Sequence, residues 1–261
     1  MFGDTVQLFL ESAAAKARLL KTNPLGYFLS SMLAGIYVGF GILLIFAVGA
    51  AFAASDNPAL KLVMGVSFGI ALTLVIFAGS ELFTGNAMVM TFGRLGKTVS
   101  SAQLGGVWGM SWLGNLAGAM LVAAVAVASG AMNGALPFFA KVAAVKMNLP
   151  WQELVLRGIL CNTLVCLAVW TATRAKSEAA KLVLIWWCLF GFIGSGYEHS
   201  IANMSLLAVA LIGSPDAPGI SWAGYAWNLG WVTLGNTIAA VLVLAVPYWI
   251  IAWRKGESAV G

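Results

Sequence analysis

Charge is what this sequence has least of. Only 9% of its 261 residues are Asp, Glu, Lys or Arg, against a hydrophobic content of 61% and a mean hydropathy of +0.93. Soluble domains carry about 25% charged residues because their outer faces must be wetted, so a water-soluble helical core is excluded. Cysteine is scarce as well. Cys161, Cys166 and Cys188 are odd in number, lie in apolar stretches and show no CxxC spacing. That excludes a disulfide framework or thiolate metal centre and leaves them as small apolar residues. Histidine occurs once, at position 199; one imidazole leaves too few ligands for zinc and excludes a pore lined by paired histidines. The net charge is +5, yet no basic run exceeds two or three residues, which excludes nucleic-acid binding. No metal, cofactor or catalytic group is expected.

What is present is apolar length. Runs at about 27–53, 63–98, 104–130, 154–174, 181–212 and 225–253 meet the roughly 20 helical residues that a bilayer core requires. The expectation is an all-α membrane protein with six transmembrane helices. Lys16, Arg18, Lys21, Arg94, Lys97, Arg174, Lys176, Lys181, Arg254 and Lys255 fall on one side, leaving Lys61, Lys141, Lys146 and Arg157 for the other. The positive-inside rule then makes both termini cytoplasmic, as an even span count requires independently. Residues 4–22 read as an amphipathic helix along that face, with Val6, Phe9, Leu10 and Ala13 on one side, rather than as a cleavable leader. Trp108, Trp151, Trp170, Trp222, Trp227, Trp249 and Trp253 sit where spans meet headgroups and are expected to anchor the helices among membrane lipids.

A polar motif is written twice inside this apolar background. Gly79-Ser80-Glu81 with Asn86 recurs as Gly196-Tyr197-Glu198 with Asn203, 117 positions on (198 minus 81). Leu113-Gly114-Asn115 recurs as Leu234-Gly235-Asn236 at a spacing of 121. The chain therefore reads as one domain, 1–261, made of an amphipathic helix (1–24) and two repeats (25–130 and 152–253). Three spans is an odd number, so the second repeat enters the membrane from the opposite side: an inverted 3+3 repeat, with helices 2 and 5 broken at residues 81–86 and 197–200. Non-helical backbone is tolerated at that depth only where it is buried or lines a cavity, and repeats that share buried polar breaks mark a transporter or channel.

The breaks hold the candidate residues. His199 is an intramembrane ionisable group, costly and therefore a functional candidate; its imidazole can donate a hydrogen bond to an anion or pass it a proton. A bare carboxylate would repel an anionic cargo, so Glu81 and Glu198 are assigned a structural role, accepting hydrogen bonds from N–H groups freed at the breaks. Asn86, Asn115, Asn162, Asn203 and Asn236 both donate and accept, which suits them to holding broken helices or lining the midplane. Thr84 can bond either His199 or the solute. Phe68, Leu72, Leu82, Phe83 and Phe192 are read either as ordinary core or as apolar constrictions that gate by dewetting. Arg157 either snorkels at the interface or draws anions into a vestibule. Gly35, Gly39, Gly41, Gly114 and Gly118 provide small faces for helix packing. A distant alternative pairs Ser195 with His199 as an intramembrane hydrolase, although the pair straddles a helix break.

Leu82-Phe83-Thr84, the stretch Gly196-Tyr197-Glu198-His199-Ser200-Ile201-Ala202-Asn203-Met204, Asn23-Pro24 and Cys161-Asn162 together resemble the formate/nitrite transporter family, over essentially the whole chain. Gly79-Ser80-Glu81 and Trp186-Trp187-Cys188-Leu189 are more similar to its nitrite branch than to its formate branch, whereas Asn86 stands where the nitrite branch often has His. The resemblance implies an aquaporin-like six-helix protomer with its own pore, assembled as a homopentamer in the bacterial inner membrane. It implies a pore histidine at His199 and a flexible loop carrying Thr84. It also implies constrictions at Leu72, Leu82 and Phe83 toward the cytoplasm and at Phe68 and Phe192 toward the periplasm.

The expected cargo is a small monovalent anion, nitrite first, with formate or hydrosulfide as alternatives. An isolated anion in a dry constriction faces an idealised desolvation cost of tens of kcal/mol. Either His199 and Thr84, with Asn162, stabilise the anion directly, or the low dielectric raises the cargo's pKa so that it crosses with a proton, His199 being one source.

Overall fold

The computed structural model describes residues 2–253, which form ten helices and, among the described residues, no strand. Arg254, Lys255 and the side chain of Trp253, used above for charge bias and anchoring, lie outside them. The helices are α1 (Gly3–Thr22), α2 (Pro24–Ala54), α3 (Leu60–Gly79), α4 (Phe83–Leu95), α5 (Ser101–Ala128), α6 (Leu136–Met147), α7 (Trp151–Arg174), α8 (Glu178–Gly194), α9 (Ser200–Gly213) and α10 (Trp222–Ala252). Five of these, α2, α3, α5, α7 and α10, are long and apolar enough to cross a bilayer alone; α9 is apolar but only 14 residues long.

Local sequence explains the helix ends. Asn23 accepts the Gly26 N–H ahead of Pro24, a proline at the first helical position where its missing donor costs nothing. Ser100 and Gln103 close a reciprocal capping box at the start of α5. The α2–α5 seam is the tightest in the molecule for a steric reason. A Cβ on Gly35 would lie 2.1 Å from the Asn115 carbonyl oxygen, and one on Gly118 would lie 2.0 Å from that of Met32, so only glycine lets these backbones meet. Large apolar side chains on the outer faces, such as Leu113, Leu156 and Leu242, remain exposed, as a lipid-facing surface requires.

Two expectations change. Trp170 is buried rather than at an interface, stacked on Tyr248 at 4.0 Å and on Phe9 at 5.5 Å. This stack docks α1, whose Val6, Phe9, Ala13 and Ala17 are buried, onto the ends of α4, α7 and α10. The second change is α6, a helix between the two halves that the apolar runs do not predict; Phe139, Ala143 and Met147 form its buried stripe.

Candidate functional site

Two helix interruptions are held by one asparagine each. α3 ends in a π-helical turn at Val75–Gly79, Gly79 takes φ +80°, where side chains other than glycine are strained, and α4 begins at Phe83. The second interruption separates Gly194 from Ser200, with Gly196 at φ +73°. Asn115 accepts the Phe83 N–H at 2.9 Å and donates to the Glu81 and Ser31 carbonyls at 2.9 and 2.7 Å. Asn236 accepts the Ser200 N–H at 2.9 Å and donates to the Glu198 and Gly158 carbonyls at 3.0 and 2.8 Å. A broken helix exposes both donors and acceptors. A neutral amide satisfies both, which a carboxylate cannot do.

For that reason the glutamates do not take the freed N–H groups, contrary to expectation. Each binds a lysine and an asparagine instead. Glu81 accepts from Lys16 at 2.7 and 2.8 Å, from Tyr27 at 3.1 Å and from Asn86 at 2.9 Å. Glu198 accepts from Lys146 at 2.6 Å and from Asn203 at 2.6 Å. Asn203 also donates to Asn228, which in turn donates to the Lys146 carbonyl. Lys16 lies on α1 and Lys146 on α6, so two helices outside the five long apolar ones each tie a lysine to an interruption. Lys16, Tyr27, Lys146 and Asn228 are the site residues that sequence reasoning missed. The available signal was that a deeply placed carboxylate needs a counter-charge.

His199 closes the second interruption as the N-cap of α9. Its Nδ1 accepts the Ala202 N–H at 3.1 Å, capping α9. Nδ1 therefore carries the lone pair and Nε2 the proton, so Nε2–H donates to Thr84 Oγ1, 3.1 Å away. This one bond brings the N-termini of α4 and α9 together, and with them the positive ends of two helix dipoles. The ring nitrogens go to Thr84 and Ala202, not to the exposed Ser195, so the Ser–His pairing of a hydrolase is not formed.

Three cavities lie in series. The first, about 410 Å³, is lined by Lys16, Glu81, Asn86, Leu72 and Leu82, among others. Leu72 and Leu82 also wall a chamber of about 10 Å³, the room of one water, whose remaining wall includes Val38, Phe68, Ala71, Val165, Leu189, Phe192 and His199. Phe192 and His199 in turn line a third cavity of about 250 Å³, with Lys61, Lys146 and Asn203. Phe68 meets Phe192 edge-on at 5.5 Å, and Phe192 stacks on His199 at 5.8 Å.

Phe68, Leu72, Leu82, Phe192 and His199 are thus brought to one chamber. Phe83 is not; its ring turns to Trp108, 6.5 Å away, because its backbone N–H is fixed by Asn115. Thr84 is buried in the first turn of α4, helical rather than in a loop, and holds His199 without lining any of the three cavities. Asn162 likewise lines none of them, donating to the Asn236 and Thr84 carbonyls at 2.6 and 3.4 Å. Arg157 pairs with Glu153 on α7 and lines neither outer cavity; the cations there are Lys16, Lys61 and Lys146.

Known proteins resemble this chain over nearly its whole length. The chain is 47% identical over 253 residues to the nitrite transporter NirC of Escherichia coli (strain K12), covering 95% of this chain and 92% of that protein. It is also 47% identical to NirC of Salmonella typhimurium, with 95% and 91% covered. A solved structure described as an FNT family ion channel superposes with a TM-score of 0.90 at 45% identity, over 95% of this chain and 98% of that one. A pentameric formate channel with formate bound superposes with a TM-score of 0.75 at 25% identity, over 92% and 98%. The profile described as formate/nitrite transporter matches residues 3–250, and the chain belongs to that family.

Proposed function

We propose that this protein carries nitrite across the bacterial inner membrane through a path contained in each protomer, and that formate and hydrosulfide are secondary cargoes. The observation that carries this reading is the series of three cavities joined by shared wall residues, Leu72 and Leu82 at one junction and Phe192 and His199 at the other. The 47%-identical nitrite transporters support the cargo, and the pentameric formate channel supports a homopentamer.

The architecture proposed is six spans in an inverted 3+3 repeat, α3 with α4 and α8 with α9 forming the broken second and fifth spans. Matching bonds support it. Glu81, Phe83, Asn86 and Asn115 have the same partners in kind as Glu198, Ser200, Asn203 and Asn236, and the Glu81 and Glu198 N–H groups both go to carbonyls of the helix one span earlier, Ser30 on α2 and Arg157 on α7. Lys16 and Lys146 extend the likeness to α1 and α6. Both termini are cytoplasmic by the charge bias, so the Lys16 cavity opens inward and the Lys146 cavity outward.

The chamber decides the mechanism. Its wall is apolar apart from His199, and the one ring N–H is already bonded to Thr84. A bare anion would find one shared donor against a desolvation cost of tens of kcal/mol. The low dielectric instead raises the cargo's pKa, so that nitrite takes a proton and crosses as the neutral acid. His199 is a poor source of that proton. Charging the ring would put a hydrogen on Nδ1, which faces the Ala202 N–H and caps α9. The proton comes from solvent in the vestibule, and His199 lends its Nε2–H to the passing acid in exchange for Thr84.

Proteoliposomes under an inward nitrite gradient test this, with lumen pH and membrane current recorded together. Nitrite entry that acidifies the lumen with little current is expected. Entry with current and no acidification would make the protein a plain anion channel; no nitrite entry but brisk formate or hydrosulfide entry would overturn the cargo.

A further inference from the structure

We infer that Gly41 sets the aperture of the chamber, by giving the Phe68 ring a seat on α2 away from Phe192. This rests on the reading of the chamber as the transport path. Gly41 is on α2, which lines the chamber through Val38 one turn earlier. A Cβ built on Gly41 would lie 2.7 Å from the Ala71 Cβ and 3.0 and 3.3 Å from the near edge of the Phe68 ring. Both residues belong to α3 and both wall the chamber. Phe68 therefore has the glycine against one edge of its ring and the Phe192 ring as an edge-on neighbour at 5.5 Å.

The other α2 glycines are spent differently. A Cβ on Gly35 would strike the Asn115 backbone, and one on Gly39 would strike Val122 at 2.4 Å, both contacts with α5 that hold helices together. Only Gly41 presses on a chamber wall. A methyl group there has two ways to be relieved. The Ala71 Cβ yields only if α3 shifts bodily, whereas the Phe68 ring swings about its own torsions. A ring displaced from α2 is expected to close on Phe192, its neighbour across the shared wall. The chamber has room for about one water, so a few tenths of an ångström at this wall are expected to close it to an acid of three heavy atoms. Gly41 is thus a positioning residue for size selection, acting through Phe68.

The test compares wild type, Gly41→Ala, Phe68→Val and Gly41→Ala/Phe68→Val in proteoliposomes, reading nitrite, formate and acetate entry per assembled protein. Gly41→Ala is expected to lower nitrite entry about tenfold and acetate entry further, since overpacking a tight wall is felt most by the larger solute. The double variant is expected to match Phe68→Val alone within about twofold. Wild-type entry by Gly41→Ala, an equal loss for all three anions, or a loss that Phe68→Val leaves in place overturns the inference. If Gly41→Ala does not assemble, Gly41→Ala/Ala71→Gly removes the closer clash and leaves the one with Phe68. It is expected to assemble and remain slow, and normal entry or failed assembly would reduce Gly41 to a packing role. Wild-type protein that passes none of the three anions would overturn the transport reading itself, which the wild-type arm reports separately.

Discussion

At the scale of single residues, each break depends on one amide with three bonds. Asn115→Ala leaves the Phe83 N–H and the Ser31 and Glu81 carbonyls without their side-chain partner. Unsatisfied buried groups cost about 1–3 kcal/mol each, while membrane-embedded side-chain bonds average nearer 0.6 kcal/mol, so a total of about 2–4 kcal/mol is expected. Thermal unfolding in detergent should show a Tm lower by roughly 5–10 °C, whereas an exposed control such as Leu113→Ala should barely move it. His199 separates into two duties that different substitutions can split. Asn keeps an acceptor near Nδ1 and caps α9 but loses the donor to Thr84; Gln reaches as far as Nε2 but loses the cap. His199→Gln is therefore expected to keep most of the nitrite flux with reduced thermal stability, and His199→Asn the reverse. A flux lost equally in both would point to the imidazole's proton rather than its hydrogen bond.

At the scale of helices, the two lysine–glutamate pairs clip α1 and α6 to the interruptions. Lys146–Glu198 is the more buried, at 17% and 2% exposed, against 18% and 13% for Lys16–Glu81. Removing one partner strands a buried charge and costs about 3–5 kcal/mol, while removing both is far milder. Lys146→Met is therefore expected to destabilise more than Lys146→Met/Glu198→Gln, and a thermal-stability cycle in which the effects simply add would show that the pair does not hold α6. Glu153–Arg157, with both partners exposed near 40% or more, should be worth less than about 1 kcal/mol. These clips also mark the limit of what the sequence made legible. The duplicated Gly-x-Glu motif with its asparagine falls at the gaps between α3 and α4 and between α8 and α9, because side chains that are costly in a membrane stand out against an apolar background. The short helix α6 stayed hidden, since twelve residues with a stripe of Phe139, Ala143 and Met147 resemble any loop flank by periodicity. The glutamates' lysine partners lie 65 and 52 residues away in sequence, and no spacing rule links them. The Phe83 ring's turn toward Trp108 was hidden for a related reason: one residue's direction at a helix start is set by which amide takes its N–H, a tertiary contact.

At the scale of the whole molecule, the proposed path runs through cavities of a single protomer, joined at Leu72 and Leu82 and again at Phe192 and His199. That makes the proposed pentamer five independent conductors, and subunit mixing distinguishes this from a shared central pore. Val165 walls the chamber and is buried; Val165→Phe fills a space of about one water and is expected to stop nitrite entry without touching either clip. Differently tagged wild-type and Val165→Phe subunits, co-expressed in equal amounts and purified as mixed assemblies, should pass roughly half the wild-type nitrite flux, in proportion to the wild-type subunits present. A pore formed jointly by five subunits, each able to block it, would instead pass almost nothing, because every mixed assembly carries at least one blocked copy. A steep loss would move the path to the symmetry axis and strip the chamber at His199 of its role. A linear one would tie conduction to the cavities that Leu72, Leu82, Phe192 and His199 join within a single chain.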